Sequence, residues 1–187
     1  MSLAHIEQID QSARLLFSEQ QVSDALISLS EKINLDYAEK NPLIICVLIG
    51  GLYTFTQLIS KMHIPLQMDY LHASRYEGKT SGQTLSWKAY PNFNLKDRHV
   101  IIVDDILDAG ITLKAIVDYS FTQEAASVAT AVLLDKVNAR ASEGLAHADY
   151  TALSIDSGDY VFGSGMDYQD YLRNKPGIHA IQPMTTS

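Results

Sequence analysis

The segment 100–112 constrains the fold of this chain more than any other part of its sequence. Val100–Val103 predicts a buried strand, and two adjacent carboxylates, Asp104 and Asp105, stand at its exit. A third carboxylate, Asp108, precedes a small-residue turn that leads into a helical pattern. Carboxylates at the carboxyl end of a strand, before a turn that opens a helix, form ligand sites in open α/β sheets. Since a helix start offers free N–H donors to an anion, we expect an anionic ligand here. The three acids suit hydroxyl groups, a metal ion or a proton.

The order of the predicted elements indicates an α/β fold with a mostly parallel, twisted sheet flanked by helices. Ser18 and Gln21 form a capping-box pattern, and apolar residues at helical spacing predict a helix from about 19 to 40, before Pro42. Strands and helices then alternate up to residue 134, which favours parallel strands with right-handed crossovers. The predicted strands are 43–49, 66–73, 100–103 and 128–134. Two further helices are predicted from apolar residues at helical spacing. The first has Leu52, Phe55, Ile59 and Met62, and the second has Leu113, Ile116 and Tyr119 or Ser120.

The C-terminal part of the chain predicts a small hood subdomain. Short strand-like pieces lie near 149–154, 159–163 and 178–181, without long helices between them. We expect a single domain, 1–187, with the core sheet at about 42–135 and a hood formed by about 136–187 together with the N-terminal segment.

The charge and hydrophobicity of the chain narrow the classes of partner. A hydrophobic fraction of 47% over 187 residues is enough for a sizeable core. A net charge of −8 argues against broad attraction to nucleic acid or an anionic membrane, so we expect neither as a partner. The single cysteine, Cys46, excludes an intrachain disulfide, and neither a signal peptide nor an apolar run of membrane length is visible. These observations favour a cytoplasmic protein.

The ordered pattern of the segment 100–112 resembles the phosphoribosyl-diphosphate (PRPP) binding motif of type I phosphoribosyltransferases. The resemblance implies the fold of that family, in which Asp104 and Asp105 bind ribose hydroxyls and Asp108 is the general base toward N7 of a purine. Backbone N–H groups hold the 5-phosphate in such a site, here those of Ala109, Gly110, Ile111 and Thr112, with the Thr112 hydroxyl as a further donor. Two plainer interpretations stay open: acids that only solvate a turn, and an Asp108 that hydrogen-bonds its own backbone.

A second motif, Leu48-Ile49-Gly50-Gly51, resembles the pyrophosphate loop of the same family. In those enzymes the peptide bond before the residue that matches Ile49 can be cis, which exposes N–H groups to the diphosphate. Many purine-specific members carry a basic side chain where Ile49 stands, so we expect Ile49 and Gly50 to bind pyrophosphate through the backbone alone. An ordinary glycine turn between a strand and a helix is the alternative.

The polar stretch 74–87 contains a third resemblance. Ser74-Arg75-Tyr76 resembles the start of the family's flexible loop, where a Ser-Tyr pair is more usual, so that Arg75 departs from the pattern and Tyr76 matches it. Such a loop closes over the site and excludes water. A solvated hairpin tip is the competing interpretation.

The last motif resembles the purine-binding hood of the family's hypoxanthine-guanine members. By this resemblance Lys136 donates to the 6-oxo group of the purine, Tyr160 stacks on the base and the backbone carbonyl of Val161 contacts its edge. Asp167 would bind magnesium and Arg173 would reach the pyrophosphate. Taken singly, each residue has a plainer interpretation as a surface charge, a strand aromatic, a turn residue or a helix end.

These resemblances predict a purine salvage enzyme. It would transfer 5-phosphoribose from PRPP to hypoxanthine or guanine, giving IMP or GMP and pyrophosphate, with Mg²⁺ as cofactor and a homodimer or homotetramer as the assembly. Lys136 is a donor only, which suits a 6-oxo purine and opposes the amino group of adenine. The choice among hypoxanthine, guanine and xanthine stays open.

Three alternatives remain on the same fold. One is an RNA-binding regulator that senses PRPP or nucleotides, although the net charge of −8 opposes it. The others are an enzyme acting on a pyrimidine or orotate, and a member that binds its ligands without turnover.

Overall fold

The computed structural model describes residues 2–75 and 85–182 as four helices and nine strands. In chain order they are α1 (Leu3–Ser12), β1 (Arg14–Phe17), α2 (Glu19–Asp36), β2 (Leu43–Val47), α3 (Leu52–Ile59), β3 (Gln67–Arg75), β4 (Leu85–Ala89), β5 (His99–Leu107), α4 (Ile111–Thr122), β6 (Ser127–Lys136), β7 (Tyr150–Ile155), β8 (Tyr160–Phe162) and β9 (Ile178–Ile181).

The central sheet has six strands in the order β4-β3-β2-β5-β6-β7, and every neighbouring pair is parallel except β3 with β4. Helices cover both of its faces. Ile44 and Cys46 pack with α2 and α3, whereas Leu43 and Ile45 pack with α4. A strand buried on both faces has to be apolar throughout, which is why β2 shows no alternation. The predicted mostly parallel α/β sheet is confirmed.

The two helices on one face end earlier than their patterns predict. Ser18 and Gln21 do form a capping box at the start of α2, but this helix ends at Asp36 rather than near residue 40. Asn41 has φ of 44° and precedes Pro42, which disfavours helical backbone before it. The predicted stripe of α3 is also wrong at its ends, because the helix stops at Ile59 and Leu52 is 48% exposed. Within the described ranges, no helix is long and apolar enough to cross a bilayer.

Strand β5 is longer than the sequence predicts, and this changes the position of the two acids. Asp104 and Asp105 lie inside the strand rather than beyond its exit. The ladder to β6 continues to Leu107, which keeps the chain extended, whereas the pairing with β2 ends at Val103. One edge of β5 is therefore free of β2 from Asp104 onward, and the functional site opens at this gap.

A second, three-stranded antiparallel sheet has the order β1-β9-β8, and the name hood is used below for this sheet and the segments packed on it. Helix α1 packs on it through Ile6 and Ile9, which contact Phe162 and Tyr168. Strand β7 belongs to the central sheet, although the hood was expected to begin near residue 136. The division into a core sheet and a hood stays a prediction.

Candidate active site

A cavity of about 310 Å³ lies where the parallel strands β2 and β5 end. It brings together most of the predicted residues for sugar, phosphate and metal: Ile49, Gly50, Asp104, Asp105, Asp108, Ala109, Gly110, Thr112, Asp167 and Arg173. Ile111 is the first residue of α4 at the same place. A second cavity of about 140 Å³ adjoins it and contains Lys136, Tyr160 and Val161. The two cavities share four lining residues, Asp105, Ile106, Asp108 and Asp167.

The N-terminus of α4 lines the larger cavity, and its backbone geometry suits an anion. Gly110 is its N-cap, with φ of 78° and no side-chain hydrogen bond to the first turn. The free N–H groups of that turn and the positive end of the helix dipole favour a phosphate. Glycine is required at this position, since a Cβ would lie 2.6 Å from the Leu145 carbonyl oxygen.

The two acids of β5 form one buried, coupled pair. The Asp105 amide donates to Asp104 Oδ1 at 2.9 Å. Burial raises the pKa of Asp104 well above its usual range, and the negative charge of Asp105 raises it further. Burial also raises the pKa of Asp105, but the hydrogen bond from Asp104 and the charge of Arg173 oppose this shift. Burial thus raises the pKa of both carboxyls, more strongly that of Asp104, and opposes a second negative charge on the pair.

The loop after β2 lies directly against this pair. The Leu48–Ile49 peptide bond is cis, as the resemblance implied. A Cβ on Gly50 would lie 2.0 Å from Asp105 Oδ2, so only glycine leaves room for the carboxylate. The Ile49 side chain is 55% exposed, in keeping with a contribution from its backbone rather than its side chain.

Arg173 connects the hood to the core acids. Its Nη2 lies 2.7 Å from Asp167 Oδ1, its Nη1 donates to the Gly165 carbonyl at 2.8 Å, and Nη1 also lies 3.9 Å from Asp105 Oδ2. A positive charge therefore sits among carboxylates of both parts of the molecule, at the edge of the larger cavity.

The donor set suits magnesium only in combination with a ligand. Among residues 2–75 and 85–182, no group of three or more acidic, histidine or cysteine side chains is arranged to hold a metal ion. Magnesium is usually bound by one or two carboxylates together with substrate phosphates and water. Asp167, which borders both cavities, fits that pattern.

The smaller cavity has a donor on one side and an aromatic ring on another. Lys136 comes from the end of β6, is largely buried, and places Nζ 3.9 Å from Asp108 Oδ1. Tyr160 and Val161 come from β8 in the hood. The Tyr160 ring meets Tyr168 edge to face at 5.5 Å between centroids, which supports its orientation. The cavity can therefore hold a planar base with an acceptor directed at Lys136.

Ile106 and Met166 also line the smaller cavity, and neither was predicted from the sequence. A signal for Ile106 existed, because residues two apart in a strand share a face, and Ile106 lies two residues after Asp104 in β5. Recognising it required a strand that continues past Val103. For Met166 we find no such signal.

The described residues include only the ends of the predicted flexible loop. Arg75 is the last residue of β3, and its backbone pairs with Leu85 of β4. Tyr76 lies outside the described residues. Strands β3 and β4 are antiparallel neighbours. Closure of the predicted loop over the site stays a prediction.

A helix start that suits an anion, a pair of acids and an adjoining cavity that suits a planar base are the features expected of a protein that binds a phosphorylated sugar beside a base. Residues 14–170 match the phosphoribosyl transferase domain family. A hypoxanthine-guanine phosphoribosyltransferase of Streptococcus pneumoniae is 35% identical over 170 residues, which is 90% of this chain and 93% of the relative. The chain therefore belongs to the phosphoribosyl transferase family.

Two further proteins are similar over nearly their whole length. A hypoxanthine-guanine-xanthine phosphoribosyltransferase of Tritrichomonas foetus is 28% identical over 174 residues, covering 93% of this chain and 94% of the relative. The crystal structure of a hypoxanthine phosphoribosyltransferase from Staphylococcus aureus has a TM-score of 0.86 at 26% identity, and covers 96% of this chain and 97% of that one.

Proposed function

We propose that this chain is a purine salvage enzyme that transfers 5-phosphoribose from PRPP to N9 of hypoxanthine or guanine, giving IMP or GMP and pyrophosphate. The observation that carries the proposal is the shared wall of the two cavities, because Asp108 borders both the helix N-terminus and the cavity of Lys136. Transfer between two substrates needs them held side by side in one orientation. The activities named for the relatives support the same assignment.

On the sugar side, the residues of the larger cavity hold the 5-phosphate and the ribose. The N–H groups at the start of α4 bind the phosphate, and Asp105 accepts hydrogen bonds from ribose hydroxyls. As the bond from C1 to the diphosphate breaks, positive charge builds on the sugar. The buried charge of the acid pair stabilises that cationic transition state.

On the base side, Asp108 takes or holds the proton of N7, which makes N9 a better nucleophile. The Lys136 ammonium donates to the 6-oxo group, Tyr160 stacks on the ring, and the Val161 carbonyl contacts its edge. General base catalysis of this kind contributes about 10²–10⁴-fold in rate.

We propose Mg²⁺ as the cofactor, bound by Asp167 and oxygen atoms of the substrate. When bound, it neutralises charge on the leaving diphosphate. Arg173 lies beside Asp167 at 2.7 Å and is positioned to contact the same leaving group.

A direct spectrophotometric assay tests the proposal. Purified protein is mixed with PRPP, Mg²⁺ and one of hypoxanthine, guanine, xanthine or adenine, and nucleotide formation is followed by the change in ultraviolet absorbance. We expect turnover with hypoxanthine or guanine and little with adenine. Absence of nucleotide with every base would reject the transfer reaction, and a preference for adenine would reject the role of Lys136.

The RNA-binding alternative has no support in the similar proteins, which carry transferase names. We propose a cytoplasmic location, supported by one buried free cysteine, a usage typical of reducing compartments. We also propose a homodimer or homotetramer by resemblance to the family, which sedimentation equilibrium tests directly.

A further inference from the structure

Arg140 lies in the segment that joins β6 to β7, outside the motifs assigned above. Its side chain is 15% exposed. The two N–H groups of Nη1 are shared among three backbone carbonyls, those of Leu107 at 2.8 Å, Asp108 at 2.5 Å and Lys136 at 3.0 Å. Two of these residues are the ones assigned to proton transfer and to recognition of the base.

The rest of the guanidinium is also used inside the protein. Nη2 pairs with the Asp135 carboxylate, which is itself 14% exposed, and Nε donates to the Ala146 carbonyl at 3.1 Å. All three nitrogens of Arg140 therefore have acceptors, and Asp135 balances the charge. This arrangement suits a fixed internal support rather than a group that binds substrate.

Strand pairing alone does not fix the two catalytic-site residues to each other. The ladder between β5 and β6 ends at Leu107 and Asp135, so Asp108 lies beyond its last pair. Lys136 is still paired on its other side, with Ile155 of β7. Among the described contacts, Arg140 is the group that joins the Asp108 backbone to that of Lys136.

The same segment also forms hydrogen bonds to Ala109 and Gly110, the turn before α4 that is proposed to bind phosphate. The Ala141 amide donates to the Ala109 carbonyl at 3.1 Å, and the Leu145 amide donates to the Gly110 carbonyl at 3.0 Å. The segment 140–146 thus contacts the backbone of every part of the β5–α4 connection that faces the ligand cavities.

We propose that Arg140 is a positioning residue that sets the separation between Asp108 and Lys136, and so the alignment of the purine with the sugar. This inference rests on the proposed function, because it assigns Arg140 a role in that same site. A misplacement of about 1 Å in a catalytic group can lower the rate about 100-fold, so a support of this kind affects catalysis without touching substrate.

The test compares Arg140→Lys with Arg98→Lys. Lysine keeps the charge beside Asp135, but a single ammonium cannot reach that carboxylate and three carbonyls together. Arg98 is a matched control at the opposite end of the sheet, where its guanidinium donates to the Asn41 carbonyl at 3.4 Å. Steady-state kinetics with hypoxanthine and with PRPP are measured well below the unfolding temperature of each variant.

We expect kcat/KM for hypoxanthine to fall about 10- to 100-fold in Arg140→Lys, with KM for PRPP changed less than about twofold. Arg98→Lys should match the wild type in both. A purely structural Arg140 would lower the unfolding temperature and leave both kinetic constants unchanged, and that result would overturn the inference. A wild-type protein with no activity would instead overturn the proposed function, so the two failures are distinguishable.

Discussion

The Lys136 ammonium lies 3.9 Å from Asp108 Oδ1, and both side chains line the same small cavity. The 6-oxo group and N7 lie next to each other on one edge of a purine. A single edge of the base can therefore meet both residues at once. Under the proposed function, this geometry would couple the choice of base to the proton transfer at N7.

Asp108→Asn tests the proton-transfer role. We expect kcat to fall about 10²–10⁴-fold, because the amide cannot accept the N7 proton. Calorimetric PRPP binding should be largely retained, since the proposed phosphate donors are the N–H groups at the start of α4 and not the Asp108 side chain. Asp118→Asn, an exposed change on α4 with the same loss of charge, should leave kcat unchanged. Equal turnover in the two variants would remove Asp108 from the base role.

Lys136→Gln tests the origin of base discrimination. A glutamine amide can donate to a 6-oxo group or accept from a 6-amino group, whereas lysine can only donate. We expect the preference of kcat/KM for hypoxanthine over adenine to shrink by an amount that corresponds to about 1–3 kcal/mol, the usual cost of an unpaired buried group. Competition assays with both bases measure it. Lys114→Gln on the surface of α4 is the control, and an unchanged preference in Lys136→Gln would contradict the assignment.

Gly110→Ala tests the phosphate-binding turn. Positive φ costs a residue with a Cβ about 1–2 kcal/mol. The new Cβ would also lie 2.6 Å from the Leu145 carbonyl oxygen. We expect a lower free energy of unfolding in urea and a raised KM for PRPP. Gly158→Ala is the matched control, because a Cβ there meets nothing within 4 Å. A Gly110→Ala variant with an unchanged KM for PRPP would place the phosphate elsewhere.

Asp104→Asn should raise stability while it lowers activity. Burial and the neighbouring Asp105 raise the pKa of Asp104, with Arg173 as an opposing charge. Because the pKa is higher in the folded state, the contribution of Asp104 to the free energy of unfolding is present at low pH. It is lost progressively as the pH rises above the pKa of the unfolded chain, which is about 4. Asparagine does not ionise, so its advantage should be largest at neutral pH, about 1 kcal/mol or more.

Urea unfolding at pH 7 and pH 5 measures this difference for Asp104→Asn. The gap between the variant and the wild type should narrow at pH 5. A variant less stable than the wild type at pH 7 would show that the buried carboxylate stabilises the fold.

The Cys46 thiol should be unreactive in the folded protein. Burial raises its pKa from 9.0 to about 12, with smaller contributions from the charges of Asp104 and Asp105. Each pKa unit lowers the thiolate fraction about tenfold, and the thiolate is the reactive form. Iodoacetamide at pH 8 should therefore modify the protein in urea and spare it in buffer, as followed by mass spectrometry. Equal labelling in both conditions would show that the strand opens readily.

Local signals were enough to predict most elements of the fold. The capping box at Ser18 and Gln21 and the apolar run of β2 depend only on neighbouring residues, and both are found. The length of β5 was not predictable in this way. Asp104 and Asp105 interrupt its apolar pattern, and pairing with β6 holds them extended. Such pairing depends on residues about 30 positions away, which a local window does not include.

Some residues of the candidate site could be predicted from the sequence, because their charged or aromatic side chains stand in an ordered motif. Arg140 could not, because its partners are backbone carbonyls, which all residues possess. Ile106 was missed for a different reason. It lies beyond Val103, the predicted end of the strand, and its orientation follows only from a β5 that extends to Leu107. Tyr160 was selected, but its support by Tyr168 and helix α1 emerged only from the folded structure.

The pairing of β1 with β9 joins an element before the central sheet to an element after it. During synthesis on a ribosome, α1 and β1 emerge before the central sheet, whereas β9 emerges after it. The six strands of the central sheet, up to Ile155, are complete before that. Because domains form as their segments become available, the sheet that carries Tyr160 and Val161 can be completed only after β9 has emerged. A nascent chain stalled before residue 178 would contain all six strands of the central sheet without that completed second sheet.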